Sequence, residues 1–333
     1  MTTPADSPVI DLKHVAKTYG RKVHALRGIR MQVHPGEVFG LLGPNGAGKS
    51  TLVKIMMTVV RASRALGTML GRPVGHKPTL ARIGYLPEHR RFPAYLTGRQ
   101  ALEHYAALAN VDRRTRRRRA AELLELVGLD RWGKSKVSAY SKGMLQRLGL
   151  AQAMMNDPEL IVLDEPTDAL DPVGRREVRD VLQGLRDRGK TVFLNSHLLS
   201  EVERVCDRVA ILVLGKVVHQ GMVDDLTARS RHYEIELGSG PAGRLQEAVR
   251  SAIPVEKGTL ASGEGVELAG NVVRIGTDDP ARVQPIIDAL RSRQLVIESV
   301  RPVRQSLEDF FIETVSGSDD RSPVPRDGEG DPP

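Results

Sequence analysis

The eight residues Gly43-Pro44-Asn45-Gly46-Ala47-Gly48-Lys49-Ser50 constrain this chain more than any other stretch. They fit the pattern G-x-x-x-x-G-K-[ST] and lie between a strand-like and a helix-like segment. The apolar run EVFGLLG (37–43) precedes them, and KSTLVKIMMTVV (49–60) comes after with the apolar content of a buried helix. Strand, glycine loop and helix in succession predict the start of an α/β unit. Glycines let the backbone curl into a nest of amides that faces phosphate oxygens, and the helix adds its positive N-terminal end. In such a loop Lys49 reaches the β- and γ-phosphates of a nucleotide, and the Ser50 hydroxyl ligates Mg²⁺.

A second segment supplies the carboxylates that a phosphate site needs. LIVLDEP (160–166) is a short continuous apolar run, as expected of a strand buried on both faces of a parallel sheet. It ends in Asp164, placed for the metal, and Glu165, which points the other way and is placed for an attacking water. TVFLNSH (191–197) reads as another such strand, and VGRREVRDVLQGLRDRG between them as an amphipathic crossover helix closed by Gly189. Residues 8–30 read as two short strands around a turn, and VAILVLGKVVHQG (209–221) as a hairpin turning at Gly215-Lys216. From Leu96 to about Asn156 the pattern is helical: TGRQALEHYAALA, RRAAELLELVGL and MLQRLGLAQAMMN.

A phosphate loop with an acidic strand is common to kinases, GTPases and motor ATPases, and Val137–Arg147 narrows the field. Here Tyr140-Ser141-Lys142-Gly143-Met144, about 20 residues before the Asp164 strand, resembles the L-S-G-G-Q signature of the ABC ATPase family. Three of its five residues depart from that consensus, and a similar S-K-G-M form recurs among single-cassette exporter ATPases. The resemblance covers residues 8–222 and implies a phosphate-loop cassette with a RecA-like parallel-sheet core, an antiparallel β subdomain and a helical subdomain at about 92–157. It implies that Tyr19 stacks on adenine and that Gly43 to Ser50, with Thr51, hold the phosphates. Ser141, Gly143 and Asp171 would contact nucleotide across a dimer interface lined by the loop 168–171, while His197 contacts the γ-phosphate. Lys49, Glu165 and His197 are then the catalytic candidates; Ser50, Asp164 and Glu88 are the candidates for Mg²⁺. Glu88 stands where the family usually has glutamine, a variant accepted in the drug-export branch.

Beyond about residue 222 the composition shifts. HYEIEL, GRLQEAVRSAI, VVRIG, PARVQPIIDALRSR and LVIESVRPV predict strand, helix, strand, helix and strand, a small α+β domain over 223–315 that SLEDFFIETV closes. Residues 316–333, SGSDDRSPVPRDGEGDPP, predict a disordered tail. The net charge is +8. Much of the excess sits in one run, Arg113-Arg114-Thr115-Arg116-Arg117-Arg118-Arg119, which suits either a solvated helix start or a surface near anionic lipid. Aromatic residues make up 4%, which argues against a stacking platform for nucleic acid. The lone Cys206, among apolar neighbours, leaves no internal disulfide and reads as a packed, inert thiol.

The N-terminal residues show no secretory pattern, and nowhere do 18 apolar residues run unbroken, so the expected place is the cytoplasmic side of a membrane, peripheral and soluble when alone. One phosphate loop and one signature per chain imply a homodimer or heterodimer around two MgATP, driving a separate membrane permease, as an exporter. Phe92, Tyr95 and the helices after them correspond to the surface the family uses to receive that permease. The alternative is a soluble ABC ATPase acting on ribosomes, DNA ends or cofactor assembly. Two cassettes, long coiled coils or zinc cysteines usually mark those proteins, and the sequence carries none. A nucleotide kinase or GTPase would have no reason for the signature, and the N-K-x-D guanine motif of a GTPase is missing, which argues against that class.

Overall fold

In the computed structural model, residues 7–20, 22–89, 91–168, 170–228, 231–238, 255–256, 259–260, 265–277, 279–304 and 306–319 are described. They fall into two units: residues up to Val223, joined by the chain from Thr314 onward, and Asp224–Glu313.

The first unit opens with β1 (Ile10–Tyr19), β2 (Val23–Val33), β3 (Val38–Leu42), α1 (Lys49–Met56), β4 (Arg64–Met69), β5 (Arg72–Pro73) and β6 (Ile83–Leu86). Three helices come next, α2 (Gly98–Leu108), α3 (Arg113–Leu126) and α4 (Lys142–Ala153). It ends with β7 (Leu160–Asp164), α5 (Pro172–Asp187), β8 (Thr191–Asn195), α6 (Leu199–Val205), β9 (Arg208–Val213) and β10 (Lys216–Met222). A six-stranded sheet runs β10-β9-β3-β8-β7-β6, parallel except for β10. Its central strands β3, β7 and β8 are buried at every residue, which is why they read as unbroken apolar runs. Phe39 pairs in register with Phe193 across β3 and β8, and their rings stack with centroids 5.9 Å apart. A second, antiparallel sheet, β2-β1-β4-β5, shares one apolar core with it through Ile10, Ile29, Leu52, Phe39 and Phe193.

Local chemistry sets where the helices start. Thr97 and Gln100 form a capping box at α2, Asp112 accepts from the amides of Arg114 and Thr115 at α3, and Ser141 accepts from Met144 N at α4. Within the arginine run Arg113, Arg114, Arg117 and Arg118 are exposed, whereas Arg119 turns inward and donates to the Met154 and Met155 carbonyls at the end of α4. Cys206 is buried and its thiol is pushed up by desolvation, which keeps it protonated.

Several expectations need correction. The first helix stops at Met56, not at Val60: Thr58 adopts a left-handed φ of 58°, and the β-branched run Thr58-Val59-Val60 is costly in a helix. The hairpin turns at Leu214-Gly215, one residue earlier than expected, because Val213 pairs with Lys216 and both turn residues take positive φ. Strands β4, β5 and β6 and helix α6 had no clear sequence signal, being short or two-residue elements or, as in β4, largely exposed.

The second unit contains α7 (Val223–Ala228), β11 (Arg231–Leu237), β12 (Val255–Glu256), β13 (Thr259–Leu260), β14 (Val266–Ala269), β15 (Val272–Ile275), α8 (Pro280–Ser292) and β16 (Ile297–Arg304), and α9 (Leu307–Asp319) starts within it and continues past Glu313. Its antiparallel sheet runs β14-β15-β11-β16, with Ile235, Leu237, Val273 and Ile275 packed against Val283, Ile286, Ile287 and Leu290 of α8. The expected strand order lacked β12, β13 and β14; the Gly270-Asn271 turn of the β14–β15 hairpin is the signal that exposes the last of these. GRLQEAVRSAI lies outside the described residues. So does the expected tail from residue 320 on, while residues 316–319 continue α9, since extending a formed helix adds a hydrogen bond per residue. Among the described residues no helix is long and apolar enough to cross a membrane.

Candidate functional site

The site forms where the parallel strands end, the place at which open α/β sheets bind ligands. Strand β3 runs into the glycine loop, β7 into Glu165, β8 into Ser196-His197, and β6 into the segment carrying Glu88. Gly46 and Gly48 take φ values of 81° and 108°, and a Cβ on Gly48 would lie 2.5 Å from the Ala25 carbonyl, so only glycine lets the loop pass there. Helix α1 starts at Lys49 with no side-chain cap and no acidic residue in its first turn. Its free amides face the loop.

A cleft of about 380 Å³ gathers Pro44, Asn45, Gly46, Ala47, Gly48, Lys49, Ser50, Thr51, Glu88, Glu165, Asp168 and His197, with Ala25. Lys49 is 7% exposed, and its Nζ donates to the Gly43 carbonyl at 2.6 Å and the Pro44 carbonyl at 3.3 Å. Burial lowers its pKa, and the charges of Glu165 and Asp164 oppose that shift. Beneath the cleft Asp164 is 2% exposed and accepts from Asn195 Nδ2 at 2.5 Å. Burial, and to a lesser degree Glu88, holds its carboxyl above the usual range, against Asn195, Lys54 and Lys49.

Glu165 adopts a left-handed φ of 52°, and its amide donates to the Asn195 carbonyl at 2.9 Å. Its Oε2 lies 2.8 Å from His197 Nδ1. With Glu165 ionised, Nδ1–H of the ring donates to its carboxylate. Burial raises the Glu165 pKa and the His197 contacts pull it back, so the group is a stronger base than a free glutamate.

Six of the expected residues do not line this cleft: Gly43 and the buried Asp164, which are held against Lys49 and Asn195, and Tyr19, Ser141, Gly143 and Asp171. Tyr19 is 40% exposed with Lys17 Nζ 4.8 Å above its ring. Ser141 caps α4, Gly143 lies within its first turn, and Asp171 caps α5 by accepting from Gly174 N at 2.7 Å. Two residues without a sequence-based assignment belong to the site. Asn195 bridges Asp164 and Glu165, and Gln146 of α4 donates to the carbonyls of Glu165, at 3.4 Å, and Pro166. A polar residue inside the apolar run TVFLN was the available signal for Asn195; Gln146 gave none.

The donor set suits a divalent cation on phosphate: a serine hydroxyl at the head of α1, and a buried carboxylate whose charge the surroundings disfavour.

Comparisons bear on what the cleft serves. The family described as ABC transporter matches residues 26–168. An uncharacterised ABC transporter ATP-binding protein of Synechocystis sp. is 38% identical over 93% of this chain and 85% of its own length. The daunorubicin resistance ATP-binding protein DrrA3 of Streptomyces coeruleorubidus is 36% identical over 92% and 95%, and the Nod factor export ATP-binding protein I of Rhizobium etli 35% over 91% and 92%. Among solved structures, cbiO1 of Clostridium perfringens, part of the ABC transporter complex cbiONQ, aligns with a TM-score of 0.62 at 25% identity, over 67% of this chain and 92% of that one. The dimeric post-hydrolysis cassette MJ0796 bound to ADP and Pi aligns at 0.59 and 26%, over 64% and 98%.

Proposed function

Because this chain belongs to the ABC transporter family, as an ATP-hydrolysing subunit of its drug and ABC-2-type exporter branch, we propose that it works as a head-to-tail pair closed around two MgATP that drives a separate membrane permease. The observation that carries the proposal is the separation of Ser141 and Gly143 from the cleft holding Lys49, Glu165 and His197. A chain whose signature residues stand outside its own phosphate cleft needs a second chain to supply them. The matching dimeric cassette supports this arrangement, and cbiO1, part of a transporter complex, supports a permease partner.

Each residue then has a role. The amides of Gly46 to Ser50 bind phosphate oxygens, and Tyr19, exposed at the end of β1, offers its ring to adenine. Lys49 faces the β- and γ-phosphates, exchanging its two carbonyl acceptors for phosphate oxygens. Ser50 and Asp164 would hold Mg²⁺, which neutralises phosphate charge when bound; Glu88 lines the same cleft, as a negative charge that opposes the phosphates until the partner engages. Glu165 accepts the proton of the attacking water. His197 orients Glu165 through Nδ1 and presents Nε2 to the γ-phosphate. Asp171 and the loop before α5 face the partner cassette, and the pair sits at the cytoplasmic membrane face.

Glu165→Gln tests the proposal. It should retain ATP binding, abolish steady-state hydrolysis and elute as a dimer with MgATP on size exclusion. A monomer under those conditions overturns the sandwich, and unchanged turnover overturns the role of Glu165.

A further inference from the structure

Among the described residues, Gln146 of helix α4 hydrogen-bonds through its side chain to the segment that follows β7. Gln146 is fully buried, five residues beyond Ser141, about 7.5 Å along the helix axis. Its Nε2 donates to the carbonyl of Glu165 at 3.4 Å and to that of Pro166 in a short contact. Its Oε1 is buried and has no partner among the described residues. A buried amide with an idle acceptor costs free energy, so packing alone would favour an apolar side chain here.

The segment Gln146 holds is the one that aims Glu165. The left-handed φ of 52° is unfavourable for a residue with a Cβ and persists only where its surroundings impose it. On one side the Glu165 amide is tied to Asn195 O of β8 at 2.9 Å. On the other, the Glu165 carbonyl accepts from Asp168 N at 3.3 Å as well as from Gln146, and the Pro166 carbonyl is held by Gln146. The two ties come from different parts of the chain. Asn195 belongs to the sheet, whereas Gln146 belongs to the helix that begins with Ser141 and Gly143.

We propose that Gln146 is a positioning residue for Glu165, transmitting the placement of the signature helix to the peptide that aims the general base. The proposal rests on the reading of Glu165 as that base and of Ser141 and Gly143 as contacts to the partner's nucleotide. A helix that shifts when it meets the partner's nucleotide moves the Glu165–Pro166 carbonyls with it, so base alignment depends on dimer closure. Misplacing a reacting group by about 1 Å costs on the order of a hundredfold in rate, which a single carbonyl contact is enough to govern.

The test is Gln146→Met, which keeps an unbranched side chain of similar length and removes the donor. Turnover by the full-length protein should fall by roughly tenfold to a hundredfold, with the affinity for a fluorescent ATP analogue within about twofold and little change in Tm. In a Glu165→Gln background the same change should have no further effect on single-turnover hydrolysis, because Gln146 acts through Glu165. Wild-type turnover in Gln146→Met overturns the proposal. So does a loss of turnover that tracks weaker nucleotide binding or a lower Tm, or an additive loss in the double variant. Full turnover in Glu165→Gln alone would instead count against the base assignment itself. Gln146→Glu gives a second reading if Gln146→Met is unstable. Its carboxyl regains a donor only when protonated, so its turnover relative to wild type should rise from about pH 8 to about pH 6; a flat ratio overturns the proposal.

Discussion

Lys49→Met separates what the cleft does for nucleotide from what it does for the fold. Lys49 Nζ makes hydrogen bonds of 2.6 Å and 3.3 Å to the Gly43 and Pro44 carbonyls. Such charge-assisted bonds contribute about 1.5–3 kcal/mol each, the longer one at the low end. Against them stands the burial of an ammonium group, which costs several kcal/mol. The direction of the pKa shift decides the sign. It is lowered, with burial outweighing the attraction of Glu165 and Asp164, so at neutral pH the charged form is held at a cost that disappears as pH rises towards the ordinary lysine range. Lys49→Met should therefore leave nucleotide-free stability within about 1 kcal/mol of wild type, on the stabilised side. Nucleotide reverses the comparison. Wild type gains about 2.7 kcal/mol at a hundredfold excess over Kd, roughly 5–10 °C in Tm for a unit of this size, and the variant should gain almost nothing. Thermal denaturation with and without MgATP reads both quantities. A nucleotide-free Tm lowered by more than about 6 °C, or an undiminished MgATP shift, would refute the reasoning.

Asp171→Ala should lower stability by about 1 kcal/mol in urea denaturation of the monomer, since Gly174 N loses its cap; an unchanged midpoint would confine Asp171 to the partner interface. Glu88→Gln should raise the turnover of the isolated subunit and move the acid limb of its pH profile to lower pH, because the Glu88 charge helps to hold the Asp164 carboxyl up. A slower variant that needs more Mg²⁺ would make Glu88 a metal ligand instead. Gly48→Ala should abolish nucleotide binding measured by fluorescence titration, given the 2.5 Å approach to the Ala25 carbonyl; retained affinity would mean that the loop relaxes at no functional cost.

The part of the site written as contiguous residue types was legible in the sequence. Gly43–Ser50 must be glycine-rich because backbone approaches both phosphate and the Ala25 carbonyl, and that requirement is visible in eight letters. Asp164 and Glu165 were visible because an apolar run ending in two carboxylates comes after a phosphate loop, and a cation on phosphate requires such groups. The strands β3, β7 and β8 read correctly because burial on both faces leaves an uninterrupted apolar run. Strand β4 failed by the same logic: half its residues are exposed, so neither a continuous nor an alternating pattern marks it.

Contacts between elements far apart in sequence that act through backbone stayed illegible. Gln146 reaches carbonyls 19 and 20 residues away, and a carbonyl is the same for every residue, so no side-chain pattern at the far end announces the partner. Asn195 was half hidden for the same reason: its side chain meets Asp164, a recognisable partner, but its own carbonyl meets the Glu165 amide. Gln146 and Asn195, which hold the Glu165–Pro166 peptide, thus carry the least sequence signal around the site. A phosphate loop can be recognised from its letters because its ligand demands particular residues. The alignment of Glu165 is demanded by neighbouring peptides, and those can be met only by the folded arrangement of β7, β8 and α4.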